Sequence, residues 1–338
     1  MKKLLLASIF IVLLSVAMAQ QKGPAITILT VGSKTSLRGL SVVNNNVIWV
    51  SGSNGTVGLS INAGGEWKWM TVSGLEKADF RDIEAFDEKT AVIMAVGEPA
   101  HILKTTDGGK NWKVVYENRA KGMFLDAMEF SSERQGMVIG DPLDGRFFIA
   151  ATNDGGDSWR ELPASRRPAA DVGEAFFAAS GTNIRAWNRT EFVYASGGKT
   201  SNLIAGAEKK PIPMMHGESS GTNSIAIHQC LFRNKIVAVG GDYAADTITF
   251  ANCFFSTNNG KSWIKPQISP HGYRSCVEFI SRKKLITCGT KGVDFSSNGG
   301  KSWTLISAEG FHVCRKAKDG NAVFLAGNNG KIGRLTLE

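Results

Sequence analysis

The stretch Thr105-Thr106-Asp107-Gly108-Gly109-Lys110-Asn111-Trp112 packs a hydroxyl, an acidic side chain, a glycine pair and a tryptophan into eight residues. Near copies are SINAGGEW ending at Trp67, TNDGGDSW at Trp159, STNNGKSW at Trp263 and SSNGGKSW at Trp303. Successive tryptophans are 45, 47, 104 and 40 residues apart. A four-stranded propeller blade takes ~40–50 residues, so the long interval holds two units, one of which has lost the motif.

Around each copy runs a second repeating element, a short apolar strand ending in Gly, a tight loop and another strand. It occurs at 50–60, 95–105, 138–152, 195–205, 239–250, 287–296 and 326–337, seven times in all. The unit at 80–116 is the cleanest, with strands expected at 80–86, 91–96, 101–105 and 112–116. The motif is then the turn between third and fourth strands. Its Gly residues permit positive φ, its Asp or Asn satisfies turn N–H groups, and its Trp covers apolar surface. The last unit, 311–337, ends after three strands, and an orphan strand at 26–31 is placed to supply the fourth. The expectation is an all-β, seven-bladed propeller of four-stranded blades, closed by the N-terminal strand, which removes exposed sheet edges.

Met1-Lys2-Lys3, an apolar run at 4–16 and Ala17-Met18-Ala19 read as an export signal cleaved after Ala19. The run is shorter than the ~20 residues of a membrane span. The reading is a signal peptide at 1–19 and one propeller domain at 20–338, periplasmic or extracellular, without stable membrane insertion and monomeric by default. The five cysteines, all between 230 and 314, are odd in number and sit in apolar strands. They read as buried thiols, with a Cys276–Cys314 pair between successive inner strands the one bridge considered. No CxxC, haem or zinc spacing occurs, so no metal and no cofactor are predicted. A formal charge of +9, with 39 basic and 30 acidic residues, includes Lys2 and Lys3 of the signal. This modest excess lacks the basic stripe with interleaved aromatics that nucleic-acid binding needs.

In a propeller, the loops joining second to third strands and blade to blade share one channel mouth, opposite the Trp turns. That mouth is expected to collect the ligand-binding candidates Arg38, Arg81, His216, His271, Tyr273, Arg274 and His312. Arg38, Arg81 and Arg274, with His312, are read as equivalent places near the starts of inner strands. They either form a basic rim for a carboxylate or other anion or pair with acids such as Asp82 and Glu84. The same loops carry Asp141, Asp144, Glu174, Asp242 and Tyr243, the candidates if there is catalysis.

The unit AVGEPAHILKTTDGGKNW resembles those of the photosystem II assembly and stability factors (Ycf48-like proteins) and of bacterial relatives with Asp-box, or BNR, repeats, and the repeat is read as WD40- or YVTN-like. GDPLDGRF (140–147), GEAFFAASGT (173–182), GGDYAADT (240–247) and HGYRSCV (271–277) resemble exported bacterial propellers loosely labelled oxidoreductase or glycosyl hydrolase. The resemblance implies a seven-bladed propeller and no established reaction. Three function classes follow. A scaffold holding a peptide, a protein partner or a small anionic ligand at the channel mouth, as an assembly or stability factor does, is preferred. A sialidase-like or other glycoside hydrolase would need paired carboxylates or a Tyr nucleophile, and the Arg-Ile-Pro element of sialidases is absent. An oxidoreductase would need a cofactor motif that the chain lacks.

Overall fold

Seven antiparallel sheets radiate from one axis in the computed structural model, which describes residues 23–231 and 233–337. The export signal read at 1–19 lies outside these residues. Blade 1 comprises Leu37–Val42, Ile48–Gly52, Thr56–Ser60 and Lys68–Thr71, innermost strand first. Blade 2 is built from Phe80–Ala85, Ala91–Ala95, Ala100–Thr105 and Lys113–Asn118, and blade 3 begins at Leu125–Phe130. Blades 4, 5 and 6 begin at Ile184–Ala186, Ser220–His228 and Cys276–Phe279. Blade 7 takes Val313–Lys316, Val323–Ala326 and Ile332–Thr336 from the C-terminus and Ala25–Thr30 from the N-terminus, with Ile26 opposite Leu335. The expected closure is therefore present.

The five Trp motifs share one hydrogen-bond pattern. The hydroxyl of Ser60, Thr105, Thr152, Ser256 or Ser296 accepts the N–H of the glycine four residues on, at 3.0–3.1 Å. The Asx side chain two residues after the hydroxyl accepts the N–H of its own fourth successor, at 2.8–3.0 Å. In blade 2, hydrogen bonds from Asn111 and Thr105 hold the Asp107 carboxyl down at about 2. The bonded glycine has φ between +73° and +86° in all five copies, a region that disfavours any side chain.

Each motif Trp also leans on the preceding blade. Trp112 meets Trp49 of blade 1 edge-on, and Trp159 meets Phe130 in the core between blades 2 and 3. Trp67, Trp263 and Trp303 fill the gaps between blades 7 and 1, 4 and 5, and 5 and 6. Two of the seven gaps lack such a Trp. Blade 4 turns between Asn202–Ala205 and Glu208–Pro211 through the tight Gly206-Ala207 hairpin, and in the gap to blade 3 Phe147 stacks on Phe176, which meets Tyr194 edge-on. Blade 7 draws its fourth strand from the other chain end, so it has no third-to-fourth turn. Its gap to blade 6 holds Phe311 and three cysteines.

Candidate functional site: two ends of one channel

Near the start of the inner strands a one-residue bulge interrupts the pairing of blades 1, 2, 3 and 5. The bulged residues are Arg38, Arg81, Asp126 and Asn223. A bulge leaves one residue unpaired and re-aims its side chain. In blade 6, Ser275 donates to Cys288 O and Cys276 pairs with Cys288, which makes Ser275 the counterpart of Arg38. In blade 7, His312 takes that place. Arg274 is one residue out of step with Arg38 and Arg81, and this corrects the equivalence expected from the sequence. Its side chain is fully buried, with Nε 2.7 Å from Asp294, which also accepts His271 Nδ1 at 2.6 Å. Tyr273 is buried as well and donates to Asn223 at 2.9 Å.

The remaining arginines hold a piece of the chain itself. Residues 176–183, on the way into blade 4, run across the channel. Arg38 of blade 1 donates to Ala179 O at 3.1 Å and Arg81 of blade 2 to Ala178 O at 3.4 Å. Ser180 Oγ donates to Ser275 O of blade 6 at 2.7 Å, and Arg315 of blade 7 donates to Gly181 O at 3.4 Å. Gly181, at φ +64°, lies against Asp82, where a Cβ would come within 2.2 Å of the carboxylate. Asp82 is buried, accepts Met128 N at 2.8 Å, and is pushed up to about 8 by that burial. This end of the channel is thus closed by the protein's own backbone.

The carboxylates expected there do not form an open acidic pair. Glu174 is buried and its oxygens accept Ser196, Asn202 at 2.8 Å, the Asp171 N–H at 2.8 Å and Lys209. Asp141 accepts Phe176 N at 3.1 Å, and burial raises its pKa. Asp144 sits in an exposed turn at φ +52°. Asp242 caps the Ala244 N–H, and its hydrogen bonds, that from Ser219 first, keep its pKa low. Tyr243 is exposed and stands edge-on to Phe177 and Tyr273. His312 is buried with Nδ1 2.9 Å from Leu37 O, and burial lowers it to about 4. His216 is exposed on the connection between blades 4 and 5.

The other end is open. A cavity of about 980 Å³ is lined by the final residues of all seven inner strands and the loops after them. Three residues beyond each bulge position runs a ring that sequence reading did not single out, with Glu84, Glu129, Arg185, Glu278 and Arg315 joined by Ser41 and Ala226. Arg185 of blade 4 reaches Glu129 of the neighbouring blade 3 at 3.5 Å and Glu278 of blade 6 at 3.3 Å, and Arg315 of blade 7 reaches Glu129 at 3.8 Å. Lys318 pairs with Glu84. Burial raises the pKa of Glu84 and Glu278 against the pull of these cations. Burial works against the charge of Arg315, and Glu129, Glu278 and Asp82 more than offset it, so its pKa is raised. Above the ring, Val43, Phe86, Phe279 and Ile280 make an apolar collar, with His228 and Lys316 beside it. The shared Glu-Phe of LDAMEF and SCVEF was the readable trace of this ring. Among the described residues, no group of three His, Cys, Asp or Glu side chains is arranged to hold a metal.

Fold and channel define a seven-bladed propeller with one self-occupied and one open mouth. No protein-family model matches the chain, and no curated protein matches it by sequence. Solved structures do. A structure described as YCF48 bound to D1 peptide is similar over 94% of this chain and 96% of its own, at TM-score 0.65 and 17% identity. YCF48 from Cyanidioschyzon merolae covers 92% and 98%, at 0.65 and 15%. The WD40 propeller domain of Doa1 covers 93% and 97%, at 0.60 and 12%. At these identities the likeness is one of fold.

Proposed function

We propose that this protein is a binding scaffold that takes a polypeptide segment of a partner into the open end of its channel. The observation that carries the reading is the cavity of about 980 Å³, charged at its base and apolar at its collar, with every inner strand contributing. Ligand pockets of ~300–1,000 Å³ with an apolar lining and a few convergent polar groups are ordinary recognition sites. Support comes also from the closed end, where Arg38 and Arg81 already hold backbone carbonyls of the chain's own turn at Ala178 and Ala179. A propeller of similar fold is described with a bound peptide. Export belongs to the same proposal, and the mature chain is expected to begin at Gln20 on N-terminal sequencing.

The test is selection of binders from a displayed random-peptide library, followed by fluorescence anisotropy. Lys316→Glu and His228→Glu, at the open collar, are expected to weaken the selected peptides at least about tenfold, or ~1.4 kcal/mol. Tyr243→Ser, on the opposite face, is expected to leave them unchanged. Peptides sensitive only to Tyr243→Ser would move recognition to the face anticipated from the sequence, and a library that yields no binders would count against the scaffold itself.

A further inference from the structure

The gap between blades 6 and 7 differs from its neighbours in composition. Five gaps are bridged by a motif Trp, and the gap between blades 3 and 4 by stacked aromatics. Between blades 6 and 7 lie Cys276, Cys288 and Cys314, all fully buried. Cys276 and Cys288 are cross-strand partners within blade 6, while Cys314 comes from the inner strand of blade 7. The thiol of Cys314 is 3.6 Å from that of Cys276, and the Cys314 N–H lies 3.3 Å from the same sulfur. The other two cysteines are remote in the fold. Cys253 is in the gap between blades 5 and 6, and Cys230 follows the inner strand of blade 5.

The position of Cys276 has a repeated role. Its counterparts Asp82 in blade 2 and Ser224 in blade 5 each accept an inner-strand N–H of the next blade, from Met128 at 2.8 Å and Val277 at 3.0 Å. Cys276 accepts the corresponding N–H of Cys314, so register itself brings the two sulfurs together. Burial opposes ionisation of Cys276, yet the thiols of Cys288 and Cys314 and the guanidinium of Arg315 draw it toward the thiolate. A thiolate is the nucleophile of disulfide exchange.

We propose that Cys276 and Cys314 are the site of a disulfide that staples blade 6 to blade 7. The oxidant is a disulfide of the exchange class, such as oxidised glutathione or a dithiol oxidase. The Cys276 thiolate attacks one sulfur of that disulfide and expels the other as a thiolate, giving a mixed disulfide. Cys314 then loses its proton to solvent or to the expelled thiolate, attacks the Cys276 sulfur and releases the second thiolate. Two protein thiols become one disulfide, and the oxidant is reduced to two thiols. Buried thiols react poorly once packed, so the step belongs to folding, after the inner strand Val313–Lys316 has docked beside Cys276 and before Ala25–Thr30 closes blade 7. That closure needs both chain ends, because Ala25–Thr30 completes the blade. The bond, ~2.05 Å long, requires the two sulfurs to close from the 3.6 Å at which they already touch.

The experiment refolds the full chain in a glutathione buffer, then alkylates it under denaturing conditions and maps its peptides by mass spectrometry. Of the five free cysteines, three are expected to take label, Cys230, Cys253 and Cys288, with the peptides of Cys276 and Cys314 joined. The oxidised protein is expected to melt roughly 5 °C above the reduced one, a difference that Cys314→Ser abolishes. Five labelled cysteines after oxidative refolding, or a bridge between Cys276 and Cys288, would overturn the proposal. Because the mapping uses the unmodified chain, it decides the matter even if the variant fails to fold.

Discussion

The two ends of the channel are made from the same seven strands, yet one is finished and the other is not. At the starts of the inner strands, polar groups meet a segment of the chain itself, and Arg38 and Arg81 spend their donors on Ala179 and Ala178 carbonyls. At their ends, acids and bases pair around an open cavity, and among the described residues no backbone crosses it. The difference teaches that loop richness marks where a chain is busy, while an unfilled volume marks where it can receive something else. Buried polar groups must be satisfied. At the closed end, residues 176–183 satisfy them.

The comparison breaks most readily at Gly181. Gly181→Val forces a branched side chain into positive φ and against the Asp82 carboxylate, and a loss of about 3 kcal/mol or more is expected in urea unfolding. Unchanged stability would mean that the closed end is not a packed plug. Asp294→Asn, which weakens the buried partner of Arg274, is expected to cost about 3 kcal/mol. A peptide-binding defect without that loss would return Arg274 to the ligand-binding set.

His312 gives the closed end a pH signature. The unfolded imidazole protonates near 6.5, whereas the folded one resists down to about 4. Stability present above pH 6.5 is therefore lost as the pH falls toward 4, on the order of 3 kcal/mol for this group. His312→Asn is expected to flatten that part of the curve in denaturant titrations at stepped pH. Asp82 works in the opposite sense. Raised to about 8, it contributes stability below its unfolded value that is lost as the pH rises through 8, so the wild-type minus variant difference is the informative quantity. Smaller still, Arg38→Ala removes one hydrogen bond to Ala179 O, about 1 kcal/mol. It is expected to speed hydrogen exchange around Ala179 and to leave the open cavity unaffected. Lys316→Glu marks the other limit, within ~0.5 kcal/mol in stability but impaired in peptide binding.

Much of this was legible because the blade signal is local. The Thr105–Asp107–Gly109–Asn111 pattern closes its own hydrogen bonds within a few residues, so composition and spacing suffice to read it. The orphan strand before blade 1 was equally readable, since blade 7 lacked a fourth strand. The offset of Arg274 was not. YRSC and FRDI look alike as letters, and only the pairing of Cys276 with Cys288 shows that the frame has moved by one. His101 opens the strand expected at 101–105 and lies within Ala100–Thr105, with Nε2 3.0 Å from Glu117. There the strand begins one residue earlier than the apolar run suggests.

By itself the sequence determined the number of blades, the motif turns and the closure of the ring, because each rests on short-range hydrogen bonding and a repeating apolar pattern. Tertiary structure alone decided which end of the channel is free. That outcome depends on contacts such as Arg38 with Ala179, 141 residues apart, and on bulges that turn side chains inward or outward by a single residue. Neither leaves a periodic trace in the chain, since both arise only when seven blades share one axis.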